Sequence, residues 1–149
     1  MNIIIGNDHA AVDLKKQIMD YLTKQGHSVT NIGVDTSDSM DYPDIAEKTC
    51  KEYNKGSYDF GIVCCGTGIG ISISANKVKG IRCAPVCDSY SAKMAKAHNN
   101  ANFIAFGSRI NYSEPIENII EAFISTEFKG GRHEKRVDKM MSLENESTK

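Results

Sequence analysis

What the chain has little of narrows the possibilities first. No stretch approaches the roughly 20 consecutive apolar residues that a membrane span requires, so no membrane role is expected. No charge of either sign dominates: 18 Lys and Arg stand against 19 Asp and Glu, a formal net charge of -1. Nothing global therefore recruits nucleic acid or an anionic surface, and any basic site must be local. The opening MNIIIGNDH has neither the basic n-region nor the long apolar h-region of a signal peptide. The five cysteines (Cys50, Cys64, Cys65, Cys83 and Cys87) are odd in number and two are adjacent, a poor disulfide framework. Such usage suits a reducing cytoplasm, the expected location. No second Cys or His pair stands at ligand spacing to Cys83-x3-Cys87, so no structural zinc is expected. Internal repeats and linkers are absent too.

What remains is a chain of 149 residues, 40% hydrophobic and 25% charged, enough for one domain with its own core. Ile3-Ile4-Ile5 is a short β-branched run before Gly6, a buried strand. A helix over about 10–25 follows, with Ala11, Leu14, Ile18 and Leu22 on one face and Gly26 as its stop. Further strands are expected at 28–32, 59–64, 82–86 and 103–106. Helices are expected from Pro43 to Asn54, from the glycine-rich turn at 66–70 to about Val78, from Asp88 as cap to about His98, and from Pro115 onward. In the last, Ile116, Ile119, Ile120, Phe123 and Ile124 fall at helical spacing. Five alternations of strand and helix predict an α/β fold with a parallel sheet covered on both faces. After Gly130-Gly131, RHEKRVDKMMSLE predicts a terminal helix with one narrow stripe (Val137, Met140, Met141). It can dock on a partner subunit or on its own domain, and residues 144–149 are expected to fray.

In an open parallel sheet, ligands bind outside the carboxyl ends of the strands. Those ends carry Asp8 and His9, the turn Cys65-Gly66-Thr67-Gly68-Ile69-Gly70, Cys87-Asp88, and Ser108-Arg109. Glycines let the backbone approach a ligand, and the free N–H groups that follow favour an anion or a developing oxyanion. A thiol held there, at Cys65, is favoured as a thiolate base or nucleophile, against the plainer reading of a small buried hydrophobe. Cys64 faces the other way and takes the plainer reading. His98 ends the fourth helix before Asn99 and Asn100, and strand-five residues are expected to lead it back toward the same sheet edge. Arg132 and Arg136, four apart, share a helix face and can clamp a phosphate or simply form a solvated basic face.

Of three other readings, one is weak and two fail at single residues. Asp88 lies 20 residues after Gly68, as a ribose-binding acid should, but G-T-G-I-G is not G-x-G-x-x-G and follows the third strand. A phosphorelay receiver needs an aspartate where Cys64 and Cys65 stand. A cysteine phosphatase needs an arginine where Ile71 or Gly70 stands. A binding module without chemistry stays open, with the thiol at the loop arguing against it.

GNDHAA at the start, DYPD at 41–44, CGTGIGISISANK at 65–77, HNNAN at 98–102, AFGSR at 105–109 and GGRHEKR at 130–136 together resemble the ribose-5-phosphate isomerase B family. That family includes the related galactose-6-phosphate isomerase subunits. The resemblance spans essentially the whole chain, and Cys65 places it with the members that use a thiol. It implies a Rossmann-like α/β/α sandwich, a homodimer or dimer of dimers with sites at the subunit interface, and a phosphorylated sugar as substrate. It implies interconversion of ribose 5-phosphate and ribulose 5-phosphate, or of a hexose 6-phosphate such as allose or galactose 6-phosphate, without metal or organic cofactor. On the matching positions, Cys65 would move the proton between C2 and C1, and His98 would open the furanose ring. Asp8, His9, the Gly66, Thr67, Gly68, Ile69 and Gly70 turn, Asn99 and Arg109 would line the site, with Tyr42 as a further contact. Arg132 and Arg136 would bind phosphate from the neighbouring subunit.

Overall fold

A computed structural model of the chain describes residues 1–146. Among them five strands and six α-helices alternate: β1 (Asn2–Asn7), α1 (Val12–Lys24), β2 (Ser28–Asn31), α2 (Tyr42–Tyr53), β3 (Phe60–Cys65), α3 (Ile69–Ala75), β4 (Cys83–Pro85), α4 (Ser89–Asn99), β5 (Phe103–Gly107), α5 (Ile116–Ile124) and α6 (Arg132–Glu146). The strands form one sheet in the order β2-β1-β3-β5-β4, every pair parallel. The near-continuous apolar runs of β1, β3 and β5 are explained by burial on both faces.

Because side chains alternate along a strand, each run feeds two cores. Ile3, Ile5, Ile62, Cys64, Ile104 and Phe106 pack beneath α1, α4 and α5. Ile4, Val63, Cys65, Phe103 and Ala105 pack beneath α2 and α3. The result is the expected three-layer α/β/α sandwich.

Several boundaries move for local reasons. Asp8 accepts the Ala10 N–H at 3.0 Å and caps a single 3-10 turn (His9–Ala11), so the first α-helix begins at Val12 instead of Ala10. β4 is only three residues long, an edge strand that ends at Pro85, which has no N–H to give. The expected capping by Asp88 is present: its carboxylate accepts the Ser91 N–H at 2.6 Å. The last turn of α6 does not fray over 144–146, because Glu144 accepts the Gly80 N–H at 2.9 Å; the rest of that stretch, 147–149, lies outside the described residues. α6 packs against α4 of its own chain through His133 and Val137, leaving Met140 and Leu143 exposed.

Candidate active site

The sheet has a switch point between β1 and β3: β1 is followed by β2 on one side, and β3 by β4 and β5 on the other. Loops leaving these two strands diverge at the C-terminal edge, where ligands of open parallel sheets bind. Asp8 and His9 leave β1 there. The buried Asp8 is locked to β3 by its N–H on the Cys64 carbonyl at 3.1 Å. Nδ1 of His9 sits 3.0 Å from the backbone nitrogen of Met40, so the 33–42 loop fixes the ring.

Cys65 ends β3, 3% exposed, and its sulfur accepts the Gly68 N–H at 3.2 Å. That contact needs Gly68 in the left-handed region (φ 77°), where a Cβ would come within 2.9 Å of the Phe106 carbonyl carbon. Tyr42 reaches the same loop: a Cβ on Gly70 would lie 2.6 Å from its ring. The Arg109 guanidinium lies against Gly66, 3.0 Å from where a Cβ would stand. Thr67 turns its hydroxyl back to accept the Ile69 N–H at 3.2 Å, and Ile69 itself is exposed. α3 has only seven residues, so the local N–H groups of the loop, more than a long helix dipole, make this edge attractive to negative charge.

The adjacent cysteines divide as their alternation requires. Cys64 lies in the opposite core, where burial, chiefly, holds its thiol above the ordinary range and leaves it inert. Burial likewise pushes Cys50 up to about 12. Asp88 belongs to α4 as its cap and lies beyond β5 from Cys65, which removes the dinucleotide reading.

The second group of expected residues lies elsewhere. α4 runs back against the strand direction, and Asn102, three residues after its end, bonds through its carbonyl to the Gly61 N–H at the start of β3. β5 begins opposite Gly61 and ends opposite Cys65. Four residues of strand, roughly 13 Å at 3.3 Å each, therefore separate the level of Cys65 from that at which β5 begins. His98 precedes that start, so the expectation that it returns to the Cys65 edge is corrected: within one chain it stands at the N-terminal edge. There the Arg82 guanidinium binds the terminal carbonyls of α4, with Nε 3.2 Å from the Asn99 oxygen and Nη2 2.7 Å from the Asn100 oxygen. Arg132 and Arg136 lie exposed on the first turns of α6 and enter no ion pair among the described residues.

One residue of this group was missed by the sequence reading. The ring of His133 stacks on that of His98, with centroids 4.1 Å apart and planes within 6°. Its signal was present in helical spacing: His133 lies four before the apolar Val137 and shares its buried face.

Two cavities reach only the margins of these groups. The larger, about 830 Å3, runs between α6 and the edge strand β4, past Arg82, Asn99 and Met140. A smaller one of about 480 Å3 lies beside Arg109 on the α1 and α5 side. Neither includes Cys65 or His98. Among the described residues no three His, Cys, Asp or Glu side chains group to hold a metal ion, and no helix is long and apolar enough to cross a membrane.

Comparison with known proteins shows the family. The model of a family described as Ribose/Galactose Isomerase matches residues 3–140. A D-erythrulose-4-phosphate isomerase of Pectobacterium atrosepticum is 44% identical over 141 residues, 94% of this chain and 93% of its own. The structure of Clostridium thermocellum ribose-5-phosphate isomerase B superposes with a TM-score of 0.95 at 44% identity, covering 99% of both chains. That of Mycoplasma genitalium ribose-5-phosphate isomerase B, with bound ribulose-5-phosphate, gives 0.90 at 36% identity and 97% coverage of each. Matched by the family's model over residues 3–140, this chain belongs to the ribose/galactose isomerase family and is an isomerase of sugar phosphates.

Proposed function

We propose that the enzyme interconverts ribose 5-phosphate and ribulose 5-phosphate in a site shared by two copies of the chain. Cys65, Asp8, His9, Tyr42, Arg109 and the Gly66–Gly70 loop come from one copy; His98, Asn99, Arg132 and Arg136 come from the other. The observation that carries this reading is the Gly68 N–H on the Cys65 sulfur, with Arg109 against the same loop. A base and donors for oxyanions then lie within one loop, as an aldose–ketose shift requires. The need for a second copy rests on the separation of His98 from Cys65 along the sheet. It is supported by two exposed residues one turn apart on α3, Ile69 at 57% and Ile73 at 56%, an apolar face beside the glycine loop for another subunit to cover.

The chemistry follows in two stages. His98 takes the anomeric hydroxyl proton as the C1–O4 bond breaks and delivers it to O4, which frees the C1 aldehyde. The Cys65 thiolate then takes the C2 proton, and the electron pair moves onto O1 to give an enediolate. A proton passes from O2 to O1, Cys65 returns its proton to C1, and the ketose forms. The glycine-loop N–H groups and Arg109 stabilise the oxyanion charge, which is greatest between the two proton transfers. Arg132 and Arg136 hold the phosphate at the far end and convert its binding into orientation. The free thiols suit a cytoplasmic enzyme.

A four-carbon substrate is the second reading, favoured by the 44% identity to a tetrulose-phosphate isomerase. The discriminating experiment compares the purified chain, without added metal, on ribose 5-phosphate, D-erythrulose 4-phosphate, allose 6-phosphate and galactose 6-phosphate. The highest kcat/KM is expected for ribose 5-phosphate; a clear preference for any of the others replaces it as substrate.

A further inference from the structure

We infer that His133 is a positioning residue whose flat ring fixes the plane of the His98 imidazole for opening the sugar ring. The inference rests on the ring-opening role proposed for His98. Among the described residues no hydrogen bond reaches the His98 ring, so no carboxylate or carbonyl of its own chain orients it as such groups orient many acid–base histidines. What meets its face is His133, parallel to within 6° at 4.1 Å. His98 is partly exposed and free to turn about two side-chain bonds without that face.

His133 itself is held firmly. It is 7% exposed, and its N–H bonds to the Gly130 carbonyl at 3.0 Å. The Lys129 N–H bonds to the Ala97 carbonyl, also at 3.0 Å, which ties the loop before α6 to the residue just before His98. Gly130 and Gly131 both have positive φ, so the chain turns from that anchor directly into α6. Val137, buried one turn later, fixes the helix.

The groups facing His133 are all cationic or can become so: His98 on α4, Lys129 in the loop, and Arg132 and Arg136 on α6. Burial, with these charges beside it, holds the imidazole below its ordinary range. A ring that stays neutral can lie against His98 whether or not His98 carries a proton. Two protonated rings face to face would repel. His133 thus keeps the stack intact through the proton exchange that ring opening demands.

The test uses a difference between the two sugars. In ribulose 5-phosphate the only hydroxyl that could close a five-membered ring on C2 carries the phosphate, so this sugar is acyclic. Deuterium uptake at its C1 in D2O reports proton transfer alone, whereas turnover of ribose 5-phosphate includes ring opening. His133→Ala is expected to lower kcat on ribose 5-phosphate by about ten- to a hundredfold and leave C1 exchange within about threefold. His133→Phe, which keeps a flat face, is expected to restore most of the lost turnover. Should the Ala variant fail to fold, His133→Leu, which fills the space without a flat ring, replaces it. The inference is overturned if the Ala or Leu variant leaves both rates unchanged, if both fall by the same factor, or if Phe rescues nothing. His98→Ala is run beside them: if it too spares the ratio of the two rates, the ring-opening reading falls and carries this inference with it. If only the His133 variants spare the ratio, this inference alone falls.

Discussion

At the C-terminal edge of the sheet the proposed base is a thiol held by backbone, while at the N-terminal edge the candidate groups are long, cationic and exposed. Cys65 sits at the end of a core strand, and the Gly68 N–H reaches its sulfur from a position where a side chain would clash with the Phe106 backbone. Arg132 and Arg136 project from the first turns of a terminal helix, and the His98 ring stacks on that of His133. The difference matches the task that the proposed function gives each edge. Moving a proton between adjacent carbons tolerates little displacement, so that group belongs on rigid core structure. Gripping a phosphate needs reach and charge more than fixed geometry. One chain offers both halves, and the sheet keeps them apart.

Removing the base should break the first half alone. Cys65→Ala is expected to lower kcat by about a hundredfold or more, in the range of lost acid–base catalysis. Binding of a non-reacting sugar phosphate, measured by calorimetry, should stay within a few-fold. The opposite edge answers differently: Arg136→Ala should raise KM by about ten- to a hundredfold, as for one charge-assisted hydrogen bond, with a smaller change in kcat. Gly68→Ala should be felt in stability as well as in activity. A side chain at φ 77° meeting the Phe106 backbone at 2.9 Å costs about 1–3 kcal/mol, read as a lower urea midpoint.

Smaller still is a pH effect at the histidine edge. The folded-state pKa of His133 is depressed, so between that value and the ordinary imidazole value the unfolded chain binds the extra proton. Its contribution is present above about pH 6.5 and is lost as pH falls through the folded-state value. Denaturation midpoints should decline on acidification through that window, and less steeply in His133→Phe.

Most of the fold was legible in the sequence because the signals were local. Ile3-Ile4-Ile5 and the spacing of Ile116, Ile119, Ile120 and Phe123 fix element types without tertiary help. The alternation of Cys64 and Cys65 assigned each to its own face. What local signals could not carry was which strands are neighbours: β4 lies outside β5, and no periodicity encodes that order. Candidate site residues could be named from the sequence, but their placement could not. His98 reads as close to Cys65 along the chain's logic of strand ends, yet α4 must run back before β5 begins, which puts it at the other edge. His133 escaped because its meaning lies in a ring contact between two helices, although its helical spacing with Val137 marked it as buried. The persistence of α6 through Glu144 depends on one long-range bond to Gly80 that composition cannot show.

The central claim, that each site takes Cys65 from one copy and His98 from another, is open to one direct measurement. Cys65→Ala and His98→Ala chains, each strongly impaired alone, are mixed one to one under conditions that allow subunits to exchange, and turnover of ribose 5-phosphate is followed. A shared site predicts that half of the dimers are mixed and that each of these holds one intact site, so about a quarter of wild-type activity returns. A mixture no more active than the two variants measured separately, once exchange has been verified by mass, would show that both groups act within a single chain and would contradict the account.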